Sequence, residues 1–378
     1  MWDMRHICFF VWMSAACTGT TAAVEHVVLE RDDERVWISG ELVVEAQDGG
    51  LLILAPDGVL WAVHHHELVE RKSDDAPFTP LDASQLSILL QSEMGDGFRV
   101  HETAHYIVCY NTTRQYAQWC GALYERLYKA FHNYWSRRGL PLHEPNMPLV
   151  ALVFRDQDSY ARYAESEIGE ATDSIVGFYS LRTNRVTMYD LTGVDAARRN
   201  RRPLSAAQIN RLLAVERTVA TIVHEATHQI AFNCGLHRRY ADIPLWVSEG
   251  IAMYFETPDL SNSRGWRTVG RVNQVRLAEF RAWAPARPDD SLTTLISDDR
   301  RFHDPQQVNN AYPESWALSY YLIRNRPKQF LQYVAALSEK KPLIEDDASG
   351  RLKDLSTAFG DDLKGLDADF LRQIRRLR

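Results

Sequence analysis

Two stretches near the middle of the chain decide its fold: VATIVHEATHQIAFNCG at residues 219–235 and PLWVSEGIAMYFE at residues 244–256. In and before the first stretch, apolar residues recur at steps of three and four positions, which is the spacing of an amphipathic helix with one buried face. Ser205 can cap the start of this helix, and Gly235 ends it. The second stretch follows Pro244 and predicts a shorter helix.

Within the first helix, the spacing of two histidines indicates a metal site. His224 and His228 are four positions apart, so they lie about 40° apart around the helix and one turn apart along it. That arrangement suits two imidazole ligands of one zinc ion, with Glu225 beside them to act as general base on a water molecule. Residues 229–248 form a connection of 20 residues that can fold back and bring Glu249 to the metal as third ligand.

The motif HEATH followed by WVSEGIAMYFE resembles the gluzincin metallopeptidases. The chain is more closely similar to a bacterial peptidase-MA-like family of unknown function, in which an exported β-rich leader precedes the domain. The similarity extends through FRVHETAHYIVCYN, ERLYKAFHNYW, GFYSLRTNRVTMYDL and SWALSYYLI, which is most of the chain. The resemblance implies zinc held by His224, His228 and Glu249, with Glu225 as the general base of peptide-bond hydrolysis.

The sequence departs from the best-known gluzincins at one position. Thermolysin-like enzymes carry an acidic residue four positions after the glutamate ligand to orient a histidine, and here that position is Met253. Glu256 and backbone carbonyl groups are the two open alternatives for this orienting role. Glu256 and Asp242 are also the competitors of Glu249 for the place of third ligand.

The resemblance further implies a catalytic tyrosine that donates a hydrogen bond to the developing oxyanion. Tyr312 lies 63 residues after the glutamate ligand, a distance comparable to that in aminopeptidase-like gluzincins, and it precedes a similar helix. Tyr320, Tyr321 and His303 are the rivals for this role. The resemblance also suggests that GFYS at residues 177–180 forms an edge strand that pairs with an extended peptide, although a buried aromatic strand is an equal alternative.

Composition favours a globular protein. The chain has 378 residues, of which 45% are hydrophobic and 25% charged, with a formal net charge of −7. It is therefore long enough for two domains or one large domain with an attached module. Because a nucleic-acid partner usually needs a basic face, the acidic balance argues against one.

The amino terminus predicts export. Residues 1–23 contain an apolar run of about ten residues, too short for a bilayer span of about 20, followed by small residues typical of a signal-peptide cleavage site. We expect a mature chain from about Val24 that is periplasmic or extracellular and has no integral membrane segment; a lipoprotein is the alternative. Of the five cysteines, Cys109, Cys120 and Cys234 then remain, so at most one internal disulfide can form.

The order of elements predicts an α+β fold. Residues 24–78 read as a small β-rich module of alternating strands, with a polar linker at residues 72–80 before a zincin-like domain at residues 79–378. Runs of strands followed by runs of helices predict a mixed sheet with a helical C-terminal part. The predicted elements are a strand at 98–111, a helix at 113–138, a strand at 148–156, a helix at 158–169, a hairpin at 175–191 and mostly helix from 205 onward.

These features together predict an exported zinc-dependent peptidase whose partner is a peptide or protein substrate. Two alternatives stay open: a catalytically idle zinc-binding interaction protein of the cell envelope, and a zinc amidase that acts on non-peptide material such as the cell wall. The presence of Glu225 argues against the idle protein, because metal binding alone does not require a general base beside the ligands.

Overall fold

The computed structural model describes residues 23–169, 175–192, 216–257, 266 and 268–378 of the chain. Most of the predicted signal peptide and the predicted helix cap Ser205 lie outside these residues.

The N-terminal strands are β1 (Ala23–Arg31), β2 (Glu34–Glu45), β3 (Leu51–Leu54), β4 (Leu60–Val63) and β5 (Leu68–Pro77). They form one antiparallel sheet in the order β4-β3-β2-β1-β5. Val27 pairs with Ile38, and Leu29 pairs with Val36, so alternate residues point to one face of the sheet. The buried side chains of that face form a small core of their own, consisting of Val27, Leu29, Ile38, Leu51, Ile53 and Val63. The predicted β module is confirmed.

The linker predicted at residues 72–80 is wrong for most of its length, because β5 continues to Pro77. This strand pairs with β1, for example Lys72 with His26. Its side chains after Leu68 are largely exposed, so the strand is held by backbone pairing and by ion pairs such as Arg71 with Glu25 at 2.9 Å. Residues 70–75 of this strand are all polar or charged, so they do not show the hydrophobic alternation that reveals strands in a sequence.

The second sheet has the order β6-β7-β8-β10-β9. Its strands are β6 (Arg99–Glu102), β7 (Tyr106–Tyr110), β8 (Leu149–Phe154), β9 (Gly177–Tyr179) and β10 (Arg185–Tyr189). Strands β7, β8 and β10 are mutually parallel, whereas β6 and β9 run antiparallel at the two edges. The hairpin predicted at 175–191 is confirmed. The single strand predicted at 98–111 is wrong: a turn between residues 102 and 106 divides it into β6 and β7.

Helices cover both faces of this sheet. They are α1 (Ala83–Met94), α2 (Arg114–Ser136) and α3 (Gln157–Ile168). Ile107 and Cys109 pack towards α1 and α3, whereas Tyr106 and Val108 pack towards α2, which is why β7 is apolar at every position. Helix α1 was not predicted, although Asp82 and the third residue of the helix form a capping box that marks its start.

The described chain after β10 is mostly helical, which confirms the predicted α+β class with a helical C-terminal part. Its helices are α4 (Glu216–Asn233), α5 (Leu245–Phe255), α6 (Gln274–Trp283), α7 (Ser291–Ser297), α8 (Arg300–His303), α9 (Val308–Asn325), α10 (Pro327–Ser338), α11 (Ala348–Phe359) and α12 (Leu363–Arg375). Cys109, Cys120 and Cys234 are buried and free. Within the described residues, no helix has the length and apolar character needed to cross a membrane.

Candidate metal centre

Helix α4 places the two histidines beside the core. Its residues Val223, Ala226 and Ile230 are fully buried among the side chains that cover the second sheet. His224 and His228 lie next to this buried face, with side chains that keep 14% and 10% of their surface exposed. Both rings are therefore mostly buried and keep only a small part of their surface accessible.

Helix α5 brings Glu249 to the histidines, and contacts around its first turn fix its position. The Leu245 N–H donates to Asp299 Oδ1 at 2.9 Å, which satisfies a free amide at the helix start. Arg351 donates to Asp299 Oδ2 at 2.8 Å and also pairs with Asp242 in the connection between α4 and α5. Asp242, one competitor for the third ligand, is therefore engaged by Arg351.

The two histidines and Glu249 converge on one point. Their nearest ligand atoms all lie within 4.8 Å of one another, and among the described residues this is the one group of three or more potential ligands that meets so closely. His224 Nε2 lies 3.0 Å from Glu249 Oε2, His228 Nε2 lies 3.4 Å from Glu249 Oε1, and the two Nε2 atoms lie 3.1 Å apart. Two nitrogens and one carboxylate are a donor set that zinc accepts.

Glu256, the other competitor, contacts His224 and does not join the cluster. Its Oε1 lies 2.8 Å from His224 Nδ1, on the opposite side of the ring from Glu249. Asn273 Nδ2 donates to Glu256 Oε2 at 2.9 Å, and Arg276 lies 3.7 Å from Oε1. A carboxylate that accepts from Nδ1–H leaves the lone pair of His224 Nε2 free for a metal.

The electrostatics of the cluster favour positive charge at its centre. Burial acts to lower the pKa of His224, but hydrogen bonds with Glu249 and Glu256 outweigh burial and raise it. Burial acts to raise the pKa of Glu249, but the charge of His228 and hydrogen bonds from both histidines hold it well below its usual range. The buried side chains therefore stabilise a cation, whether a proton or a metal ion.

Glu225 lies outside the ligand cluster, and its carboxylate contacts strand β9. Its Oε2 accepts a hydrogen bond from the backbone N–H of Tyr179 at 2.9 Å. Burial raises the pKa of this carboxyl above its ordinary value, although His224 and His228 act in the opposite direction. Strand β9 is an edge of the sheet, so GFYS at 177–180 borders the site. Phe178 and Tyr179 are also partly buried. The strand therefore combines the edge position expected of a peptide-binding strand with the buried aromatic side chains of the alternative interpretation.

Tyr312 lies near the cluster, whereas its three rivals are engaged elsewhere or exposed. The negative charge of Glu249 is the largest influence on Tyr312 and, together with burial, raises its pKa. Within the described chain, no hydrogen-bond partner is found for its hydroxyl. By contrast, Tyr321 donates to Asp369 at 2.6 Å, Tyr320 packs on Trp316 and Tyr254, and His303 is exposed on α8.

Comparison with protein families gives a match over part of the chain. Residues 218–344 match a family described as a protein of unknown function (DUF1570). The matched segment contains His224, Glu225, His228, Glu249 and Tyr312, whereas strand β9 lies outside it. No curated protein matches the chain. The family description names no reaction, and the function must be argued from the site.

Two parts of the site could not be found in the sequence. The Tyr179 N–H belongs to the backbone, so no residue type signals it. Asn273 and Arg276 support Glu256 from helix α6, and neither belongs to a motif with the histidines. Met253, which occupies the position of the orienting acid in thermolysin-like enzymes, is fully buried in the core and supplies no such group.

Proposed function

We propose that this chain is an exported zinc-dependent peptidase. The observation that supports this most is the convergence of His224, His228 and Glu249 within 4.8 Å beside a glutamate that is not part of the cluster. A purely structural zinc site usually has four protein ligands and no open position. Three ligands with a separate carboxylate beside them that can act as acid and base are typical of hydrolytic sites.

The residues present fit a zinc ion. His224 and His228 would bind it through Nε2 and Glu249 through a carboxylate oxygen, while Glu256 keeps the Nδ1–H of His224 in place. When bound, zinc supplies a Lewis acid that polarises a substrate carbonyl and lowers the pKa of water towards about 7.

Glu225 acts as general base and then general acid. It accepts the proton of the attacking water at a carboxylate oxygen and later delivers it to the nitrogen of the leaving amine. The hydrogen bond from the Tyr179 N–H to Oε2 fixes one oxygen of Glu225, so the other is available for proton transfer.

Tyr312 is the proposed donor to the developing oxyanion. Its position near Glu249 and Glu225, and a hydroxyl without a partner among the described residues, support this role. Removal of one such donor typically costs about 10²–10³ in kcat. The edge of β9, with GFYS at 177–180, would hold an extended peptide by strand addition through backbone groups other than the Tyr179 N–H, which Glu225 binds.

The decisive experiment compares the parent chain with Glu225→Gln. Purified protein is analysed for metal and then incubated with a peptide library, with and without a chelator. We expect the parent to hold one zinc ion and to cleave peptides in a chelator-reversible way. Glu225→Gln should keep the zinc and lose about 10²-fold or more of the activity, since the amide keeps the shape but cannot accept the proton.

The control is Glu165→Gln, which makes the same change on the exposed surface of α3 and should behave as the parent does. In the same assay Tyr312→Phe should keep zinc and lose activity. A parent that holds zinc and cleaves no peptide would favour the idle binding protein or the non-peptide amidase. Equal activity of Glu225→Gln and parent would contradict the mechanism.

A further inference from the structure

Just after β9 ends at Tyr179, a second side chain contacts the backbone close to the contact of Glu225. Backbone groups alternate along an edge strand: Ser180 N–H donates to Arg185 O in β10 at 3.0 Å, so its neighbours on either side face outward. Tyr179 N–H uses this outward direction to reach Glu225, and Leu181 C=O accepts from Arg239 Nη1 at 3.2 Å. Glu225 and Arg239 therefore contact backbone groups that are two residues apart in the chain, one in β9 and one in the turn that follows it.

Arg239 carries a charge that no described carboxylate neutralises. Its Nη1 donates to two carbonyl oxygens, those of Leu181 and of Gly58 at 2.9 Å. Neighbouring arginines differ: Arg182 pairs with Glu167, and Arg185 pairs with Glu93. Burial lowers the pKa of Arg239, whereas Arg185 keeps a raised pKa because Glu93 compensates its burial.

Two backbone carbonyl groups bind the guanidinium of Arg239 and fix its position. Gly58 has φ of +89° in the turn between β3 and β4, a conformation that presents its carbonyl to the guanidinium. The turn is anchored on the β9–β10 hairpin, since Leu60 N–H donates to Arg182 O at 2.8 Å. Both carbonyls bind the same nitrogen, so Nη2 and Nε, which have no partner in the described part of the chain, remain for a ligand. A guanidinium edge with two such donors matches a carboxylate.

We propose that Arg239 binds a carboxylate of the substrate about two residues from the bond that is cleaved. This rests on the proposed peptidase function, in which Glu225 marks the reacting bond. The carboxylate belongs either to an aspartate or glutamate side chain or to the C-terminal residue of the peptide. The substrate class is therefore acidic peptides or peptides with a nearby free C terminus.

The test uses matched peptides built on a sequence that the parent cleaves. In one pair, the residue two positions from the cleavage site, on either side, is glutamate or glutamine. In the other pair, the peptide ends at that position as a free acid or as an amide. We expect the parent to prefer the carboxylate member of one pair by about tenfold or more in kcat/KM, which is the scale of a charge-assisted hydrogen bond. The pair that shows the preference identifies the source of the carboxylate.

In Arg239→Gln, which keeps donors for the two carbonyls but removes the charge, this ratio should fall to about one. Arg239→Lys keeps the charge and should retain part of the preference. If the glutamine variant does not fold, the ratio is measured in Arg239→Lys instead and should be lower than in the parent. Arg238→Gln, the same change on the exposed neighbouring residue, should leave the ratio as in the parent. A parent without preference in either pair, or an undiminished ratio in Arg239→Gln, would overturn the proposal.

A binding measurement separates this proposal from the proposed function. Fluorescein-labelled hexapeptides that end in a free glutamate or in an amidated glutamine are titrated against the parent and Arg239→Gln by anisotropy. Tighter binding of the acid to the parent, lost in Arg239→Gln, supports the carboxylate site even if no peptide is cleaved. Equal binding of both peptides to the parent, together with absent cleavage preference, overturns it whether or not the chain is a peptidase.

Discussion

The close approach of helices α5 and α9 at Gly250 makes a sharp prediction for the variant Gly250→Ala. Gly250 follows Glu249, and a Cβ added there would lie 2.0 Å from Ser319 Oγ, 2.8 Å from Ser319 Cβ and 2.7 Å from Ser315 O. The hydroxyl of Ser319 can rotate away. The carbonyl of Ser315 belongs to the backbone of α9, so it can withdraw only if one of the helices moves.

The cost follows from these distances. Inserting a methyl group into a packed core costs about 1–3 kcal/mol, and the backbone contact puts Gly250→Ala at the upper end of that range. Because alanine has a higher helix propensity than glycine, the substitution also recovers about 1 kcal/mol of this cost. We therefore expect the free energy of unfolding to fall by about 2 kcal/mol. Since α5 must shift, Glu249 should also move away from the histidines, and zinc affinity should fall with it.

The assay is denaturant unfolding of the metal-free chain, followed by zinc competition against a chelator. Gly350→Ala in α11 is the matched control, because its added Cβ meets only the side chain of Asp346 at 3.2 Å and that of Asp347 at 3.4 Å. Gly350→Ala should change stability little. Adding Ser319→Gly to Gly250→Ala should restore part of the loss. If Gly250→Ala were as stable as the parent, the spacing of α5 and α9 and the reasoning about Glu249 would be wrong.

Two further predictions concern histidines. Glu256→Gln should weaken zinc binding about 10-fold to 100-fold, because the amide no longer supplies the charge that holds the His224 Nδ1–H at 2.8 Å; unchanged affinity in the chelator competition would refute this. His237 is buried, and burial, with the charge of His228, lowers its pKa to about 3. In the unfolded chain a histidine has a pKa of about 6.5. On acidification, His237 therefore binds a proton in the unfolded chain at a higher pH than in the folded chain. The free energy of unfolding should therefore fall as pH decreases from about 6.5 to about 3, by up to about 1.4 kcal/mol per unit, and level off below. His237→Leu should lose this part of the pH dependence in denaturant unfolding; an identical pH dependence in parent and variant would contradict it.

The sequence determined those features that depend on neighbours within a turn or a strand. The spacing of His224, Glu225 and His228 along one helix, the start of α5 after Pro244, and the hairpin of β9 and β10 were all predictable. Local periodicity and turn residues set each of them, since a helix or hairpin is specified by positions only a few residues apart. Where that signal was missing, as in the polar strand β5, the prediction failed.

Only the tertiary structure decided which side chains meet. Glu249, Glu256 and Asp242 are equivalent as residue types, and they are distinguished by the packing of α5 on α4 and by Arg351, which lies far along the chain. The contact between the Tyr179 amide and Glu225 has no counterpart in residue type at all. Such choices depend on the relative placement of distant elements, which is set by the summed burial of the core and not by any local pattern.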